Sequence, residues 1–143
     1  MGNAVAADRP LLAEDDASSF DSVAGKEWRL MELRGGVGFS RDPRESDSAG
    51  TYTLKFQDGM ASGRGAPNLY RFPFEAGKNQ SLGITSGIAT LMAPFPEPEG
   101  FREGDYFDYL TRVYRWALRD GRLELHTKGE TGEEAVLVYG PVL

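Results

Sequence analysis

A chain of 143 residues has the length of one compact domain, and its 40% hydrophobic and 11% aromatic content is typical of a globular fold. Its 16 basic and 22 acidic side chains give a formal net charge of −6, which argues against nucleic acid and anionic membrane surfaces as partners. The absence of cysteine excludes disulfides, thiolate metal sites and a cysteine nucleophile.

The start of the chain is polar and acidic, and we expect residues 1–19 to form a flexible leader before a single domain over residues 20–143. No apolar run approaches the length of a membrane span. The start also lacks the basic region and apolar stretch of a signal peptide. An initiator Met directly before Gly2 is compatible with an export signal that has been removed.

Strands dominate the predicted secondary structure. The segment "KEWRLMEL", residues 26–33, is dense in strand-compatible residues and precedes a polar, glycine-rich loop. Residues 52–65 and 114–127 each alternate apolar and polar side chains around an Asp-Gly pair, the strongest short hairpin signal. A strand pair over residues 70–88, with Leu82, Ile84, Ser86 and Ile88 at alternate positions of the return strand, and a last strand near residues 134–143 bring the total to about eight.

The two Asp-Gly turns also predict the register of their hairpins. In the first hairpin the large residue of each inward pair faces a small one: Phe56 with Ala61, Leu54 with Gly63, and Tyr52 with Gly65. In the second, the inward pairs are Leu118 with Leu123, Trp116 with Leu125, and Tyr114 with Thr127. Glu124 then falls on the solvent face, opposite Ala117 and between flanking arginines.

One short helix is predicted near residues 103–113, where apolar residues recur at spacings of three and four: Tyr106, Phe107, Leu110, Val113 and Tyr114. Before it, "ATLMAPFPEP" reads as the end of a buried strand and a stiff crossover, because proline cannot continue a ladder. The predicted fold is therefore mainly β (β-rich α+β), an antiparallel barrel of about eight strands with one inserted helix, since closure removes exposed edges.

The order and spacing of four segments carry a family resemblance: "FDSVAGKEWRLMEL", "YTLKFQDGMASGRGAPNLY", "ITSGIATLMAPFPEPE" and "VYRWALRDGRLELHT". Over residues 20–139 the chain resembles the META domain, the HslJ-like family of small bacterial envelope proteins. The resemblance implies a lipocalin-like barrel with one helix, a periplasmic or outer-membrane lipoprotein location, and an association with stress responses. It implies neither an enzyme nor a cofactor.

The resemblance also marks positions that match the family pattern: Gly25, Trp28, Gly63, Gly65, Asn68, Thr90, Met92 and Ala93. Many members carry cysteines where this chain has Pro67 and Pro94. Where those cysteines are bonded to each other, the two loops that carry them must be neighbours. The resemblance therefore implies that Pro67 and Pro94 lie close together in space.

Candidate chemical groups are sparse. His126 is the only histidine, and without further strong ligands we interpret it as structural or solvated. An acidic run would offer oxygens to calcium, but its spacing is not that of an EF-hand and it suits a solvated helix start instead: Glu97, Glu99, Glu103, Asp105 and Asp108. "GRGAPN" follows a hairpin rather than opening a βα unit, so it does not indicate a phosphate loop.

The inward aromatic residues admit two functional hypotheses. They fill a packed core, which we favour, or they line a cavity for one apolar molecule, with these candidate lining residues: Tyr52, Phe56, Tyr70, Phe72 and Trp116. The first hypothesis describes a non-enzymatic, monomeric envelope domain that acts by binding another protein. The alternative is a carrier or sensor of a small hydrophobic ligand.

Overall fold

The structure is a computed structural model, and it describes residues 17–35, 52–65, 68–90 and 103–142. These residues form nine strands and one α-helix: β1 Glu27–Gly35, β2 Thr53–Gln57, β3 Met60–Arg64, β4 Leu69–Ala76, β5 Leu82–Ile84, β6 Ile88–Ala89, α1 Glu103–Leu110, β7 Arg115–Arg119, β8 Arg122–Lys128 and β9 Glu134–Pro141. Two 3₁₀ turns, Ala17–Ser22 and Lys78–Gln80, precede β1 and β5. The first turn crosses the predicted boundary of the leader, most of which lies outside the described residues. None of the described helices is both long and apolar enough to span a bilayer.

The strands form one antiparallel sheet in the order β5-β4-β3-β2-β1-β9-β8-β7. The short strand β6 pairs with the first half of β4, whereas β5 pairs with its second half, so the two share one position in the barrel. Near β5 the sheet meets its other end, because Leu82 N–H donates to Tyr114 O at 3.2 Å and the Gln80 side chain donates to Trp116 O at 2.8 Å. The mainly β, nearly closed antiparallel barrel with one helix is confirmed.

The predicted registers are confirmed for the pairs nearest each turn. In the first, Phe56 pairs with Ala61, and in the second Trp116 pairs with Leu125. Each turn has two residues of positive φ, with Asp58 at 54° and Gly59 at 77° in the first. This backbone geometry matches the twist of the flanking strands, which is why the Asp-Gly signal located the turns correctly.

The predicted inward position of Ile88 is wrong. Ile88 is 68% exposed, and it pairs with Arg71 on the outer side of β4. The return strand breaks after Ile84: Thr85 N–H donates to Pro73 O at 2.9 Å, and a Cβ on Gly87 would overlap the carbonyl oxygen of Arg71. This irregular segment shifts the alternation by one residue, which moves a side chain to the opposite face of a strand.

The predicted helix is too long at its C-terminal end, and the position of Tyr114 is also wrong. The helix stops at Leu110, and Tyr114 is 42% exposed instead of facing the interior. Its hydroxyl donates to a carboxylate oxygen of Glu134 at 2.6 Å. Tyr109, which the spacing pattern overlooked, is buried in its place.

The solvent-facing position of Glu124 is a third correction. Glu124 does lie opposite Ala117 on the outer side, yet it is only 5% exposed. Its carboxylate accepts from Arg119 Nε at 3.0 Å and lies 3.6 Å from a terminal nitrogen of Arg34. Two guanidinium groups therefore compensate the burial of this charge.

Gly63 offers a test of a close approach between the backbones of β2 and β3. Substitution to alanine places a Cβ against the carbonyl oxygen of Thr53, so we expect Gly63→Ala to lower the free energy of unfolding by about 2 to 3 kcal/mol. Gly83→Ala is the matched control, because a Cβ on Gly83 meets nothing within 4 Å. Urea unfolding of both variants checks the prediction, and equal stabilities would contradict it.

Candidate functional site

Three described residues of the family pattern or its surroundings form one hydrogen-bond network, which we call the Asn68 network: Asn68, Thr90 and Glu103. The Glu103 carboxylate accepts from the Asn68 backbone N–H at 2.7 Å and from its side-chain amide at 2.8 Å. Thr90 Oγ1 donates to the Asn68 side-chain oxygen at 2.8 Å. The network therefore joins the β3–β4 turn, the end of β6 and the first residue of α1.

The glycines of the family pattern make this geometry possible. A Cβ on Gly65 would lie 2.5 Å from Glu103 Oε2, in the space that the carboxylate occupies. Gly65 N–H also donates to Asn68 O, which closes the turn. At the start of β1, Gly25 has a φ of 81° and donates to Phe56 O at 2.8 Å, while Trp28 Nε1 donates to Val23 O at 3.1 Å. These family positions hold the backbone together rather than present reactive groups.

Several predicted residues cannot be placed. Met92, Ala93, Pro67 and Pro94 lie outside the described residues, so the expected proximity of the two prolines stays a prediction. Glu97 and Glu99 of the acidic run also fall outside.

The five candidate ligand-lining residues lie inside the barrel in two aromatic clusters. In the first, Phe20 contacts Phe56 and Trp116, each with ring centroids 5.4 Å apart. In the second, Tyr106 of the helix contacts Tyr52 at 4.6 Å and Tyr70 at 5.9 Å. Phe72 extends the second cluster through Tyr70 at 5.3 Å. All five candidates are at most 3% exposed and pack against other rings.

A chain of phenol hydroxyls runs through the second cluster. Tyr106 OH lies 3.1 Å from Tyr70 OH and 2.9 Å from Tyr139 OH, and Tyr70 OH donates to Thr53 O at 2.5 Å. Burial raises the pKa of Tyr70, Tyr106 and Tyr139 well above that of a free phenol. The hydroxyls therefore stay protonated and satisfy one another in the core.

The other candidate groups have structural partners. His126 Nε2 lies 3.2 Å from Glu124 Oε1; burial lowers the pKa of His126, and the nearby carboxylate partly opposes that shift. Glu103 is engaged by Asn68, so it is not the solvated carboxylate that the acidic run suggested. Across the four described ranges, no three His, Asp or Glu side chains converge as metal ligands would.

An open groove of about 550 Å³ crosses the outer side of β2, β3, β4 and β6. Its lining combines charged, polar and apolar groups: Glu27, Thr53, Ser62, Gly63, Arg64, Leu69, Tyr70, Arg71, Ile88, Ala89 and Thr90. Leu69 and Ile88 are 52% and 68% exposed, although both are large and apolar. The groove adjoins the Asn68 network, because Thr90 belongs to both.

The same side of the sheet is rich in cations. Strand register places Arg29 beside Thr53, Lys55 beside Ser62, and Ser62 beside Arg71, all on the outer side. We call this surface the basic face, defined by four cations and two apolar side chains: Arg29, Lys55, Arg64, Arg71, Leu69 and Ile88. In the part of the chain that the structure describes, none of these four cations forms an ion pair.

Sequence reasoning missed this surface, although part of the signal was available. In the first hairpin, the residues that alternate with the inward ones face outward, and they include Lys55 and Arg64. The exposure of Ile88 was not readable, because it depends on the irregular segment at Thr85–Gly87.

The family of this chain follows from its match to a known family model. A family model described as the META domain matches residues 21–138. The chain belongs to the META domain family. The expected family is thereby confirmed, and the match spans all described strands except the last residues of β9.

Solved structures share the fold of this META domain. The NMR structure of a protein from Burkholderia xenovorans matches with a TM-score of 0.64 at 21% identity, covering 99% of this chain and 95% of that one. A crystal structure of a duf4847 family protein from Bacteroides vulgatus matches with a TM-score of 0.54 at 10% identity, covering 84% and 94%. No curated protein matches the chain.

The Asn68 network predicts a stability effect in this META domain. We expect Asn68→Ala to lower the free energy of unfolding by about 2 kcal/mol, because it removes the side-chain hydrogen bonds to the half-buried Glu103 carboxylate and to Thr90. Gln57→Ala, an exposed amide at the end of β2, serves as control and should change stability by less than about 0.5 kcal/mol. Urea unfolding measures both, and a similar loss in the two variants would refute the role of the network.

The phenol chain predicts the response to alkali. Because Tyr70, Tyr106 and Tyr139 have raised pKa values when folded, the unfolded state releases their protons first as the pH rises. At neutral pH these three phenols are protonated in both the folded and the unfolded state, so their raised pKa values do not change the free energy of unfolding. Above about pH 10 the phenols ionise more readily in the unfolded state, which lowers the free energy of unfolding. Tyrosinate absorbance of these three groups should therefore appear together with unfolding, as followed by circular dichroism. Reversible ionisation of all six tyrosines in the folded state would contradict this.

Proposed function

We propose that this META domain is a non-enzymatic protein-interaction module, and that its basic face binds an acidic segment of a partner protein. One observation carries the proposal: four cations without ion-pair partners in the described chain surround two exposed apolar side chains on one side of the sheet. The bacterial envelope is the location that we propose for this interaction, in line with the earlier family resemblance.

Charge supports an acidic partner segment. The whole chain carries a formal charge of −6, so four cations on one face form a strong local contrast with the rest of the molecule. Within that face Glu27 is the neighbour of Lys55 across β1 and β2, which leaves an excess of positive charge. The local positive field attracts an acidic segment, whereas an extended polyanion such as nucleic acid is also repelled by the negative charge of the rest of the molecule.

The apolar side chains support a protein partner rather than a small ion. Leu69 and Ile88 leave apolar surface in water, and covering such surface is favourable by about 25 cal/mol per Å². A groove of about 550 Å³ accommodates several side chains of a partner. The combination of exposed apolar residues with an arginine-rich rim is common at protein interfaces.

The carrier alternative draws less support from these contacts. Its candidate lining residues are buried against other rings, and Phe20 and Tyr106 fill the space between them. A ligand inside the barrel would have to displace these side chains, whereas a partner on the basic face needs no such rearrangement.

The test compares two double variants that change the net charge equally. Arg64→Glu with Arg71→Glu alters the basic face, while Lys78→Glu with Arg122→Glu alters exposed cations elsewhere. Envelope proteins of the native organism are captured on each form, and the captured partner is then purified and titrated directly. We expect the first variant to weaken binding of that partner about tenfold or more, and the control to retain it.

Equal binding by the two double variants would overturn the proposal. Binding should also weaken as salt is added, because exposed charges are screened within about 10 Å at 0.1 M salt. Folding of each variant is verified by urea unfolding, so that lost binding is not confused with lost structure.

A further inference from the structure

We infer that the partner segment binds as an additional β-strand on the edge of β6 that faces away from β4, with acidic side chains directed over the basic face. This inference rests on the proposed function, and it specifies both the conformation and the chemistry of the bound segment. Three features of β6 lead to it: the direction of its backbone groups, the absence of protecting side chains from its described residues, and the side chains beside it.

The hydrogen-bond pattern gives the direction of the backbone groups. Thr90 N–H donates to Leu69 O at 3.0 Å, and antiparallel pairs alternate between hydrogen-bonded and non-hydrogen-bonded positions. Ala89, which faces Tyr70 in the ladder, therefore occupies a non-hydrogen-bonded position. Its N–H and C=O point away from β4, towards the side where a further strand would lie.

Among the described strands, only β4 pairs with β6. β7, at the opposite end of the sheet, pairs with β8, and across the seam it forms the isolated bridge between Ser81 and Arg115. That bridge is at β5, so it does not reach Ala89. Among the described residues no hydrogen-bond partner is found for the Ala89 N–H.

The described residues of this edge include none of the usual protecting side chains. Exposed edge strands normally carry a charged residue or a proline that prevents pairing with another chain. The residues here are Gly87, Ile88, Ala89 and Thr90, with neither. The edge is short, which restricts it to a short segment and limits open-ended association.

The flanking side chains specify the chemistry of the added strand. Its residue opposite Ala89 would form the hydrogen-bonded pair and face the same side as Ala89, so its two neighbours would point outward beside Ile88 and Thr90. Ile88 lies next to Arg71, and Thr90 lies in the row of Leu69 and Arg64. Glutamate suits the outward positions, because its methylene groups cover the apolar side chains while its carboxylate extends towards an arginine.

The probe is a heptapeptide that alternates glutamate and valine, with glutamate at both ends and valine favouring the extended form. In the predicted complex the valine N–H groups face β6 and the glutamate N–H groups face away. Two isomers provide matched forms: one is N-methylated on two of its three valines and the other on its two internal glutamates. The lysine–valine peptide of the same length controls for charge.

Binding is followed by NMR on the full ¹⁵N-labelled chain. We expect the unmodified and glutamate-methylated peptides to shift signals of Arg64, Arg71 and Ile88 and to slow amide exchange at Ala89. The valine-methylated isomer should bind about tenfold more weakly, and the lysine peptide should bind more weakly than the glutamate peptide. In the protein, Ala89→Pro removes the N–H that points away from β4 and should reduce peptide binding similarly, because an edge position tolerates proline. Urea unfolding verifies that this variant folds, since proline also adds a ring and restricts the backbone.

The failures of the two proposals are distinguishable. If both methylated isomers bind equally through Arg64 and Arg71 while Ala89 exchange stays fast, strand addition is overturned and the basic face stands. If no peptide binds but the purified partner still requires Arg64 and Arg71, strand addition is again overturned. If the partner binds the Arg64→Glu, Arg71→Glu variant normally, the proposed function falls as well. Binding of anionic phospholipid vesicles in preference to peptide and partner would overturn both.

Discussion

The contact between Asn68 and Glu103 is the constraint on which the arrangement of the outer surface depends. Two donors of one asparagine bind one carboxylate, and the absence of a Cβ at Gly65 leaves room for that carboxylate. Thr90 donates to the same asparagine, so the hydrogen bonds of Asn68 connect the end of β6 both to the start of β4 and to the first residue of α1. A hydrogen bond to a charged group is stronger than a neutral one, so this small network holds three segments distant in sequence.

The position of β6 in turn determines which side chains meet water. After Ile84 the chain departs from regular pairing, passes closely over β4 at Gly87, and resumes with Ile88 facing outward. A continuous strand would have buried Ile88 with Ile84. The exposed isoleucine is thus a consequence of one irregular segment, and that segment also leaves the backbone of Ala89 directed away from the sheet.

Local signals in the sequence were enough for much of the fold but not for the candidate site. The pairing next to each hairpin turn was predictable, because a two-residue Asp-Gly turn fixes which residues face each other across the two strands. The exposure of three residues was predicted wrongly: Ile88, Tyr114 and Glu124. Their exposure depends on where a strand or helix ends, or on ion pairs with other strands. Asn68 was recognised as a family position, but its contact with Glu103 spans 35 positions in sequence, and no local pattern announces it.

The aromatic residues pack the interior of the barrel and also support the strands that form its outer surface. Rings contributed by the barrel and by the helix pack within 4.6 to 5.9 Å of one another, and the phenol hydroxyls among them are paired. Such a core holds β2, β3 and β4 rigidly, because close-packed interiors yield little to local strain. The cations of the basic face are therefore presented on a preorganised sheet, where a partner gains electrostatic attraction without the cost of ordering the backbone that bears them. Tyr70 connects the two regions, since its hydroxyl lies in the buried phenol chain while the residue also borders the groove. The same aromatic packing therefore occupies the barrel interior and supports the strands that carry the basic face.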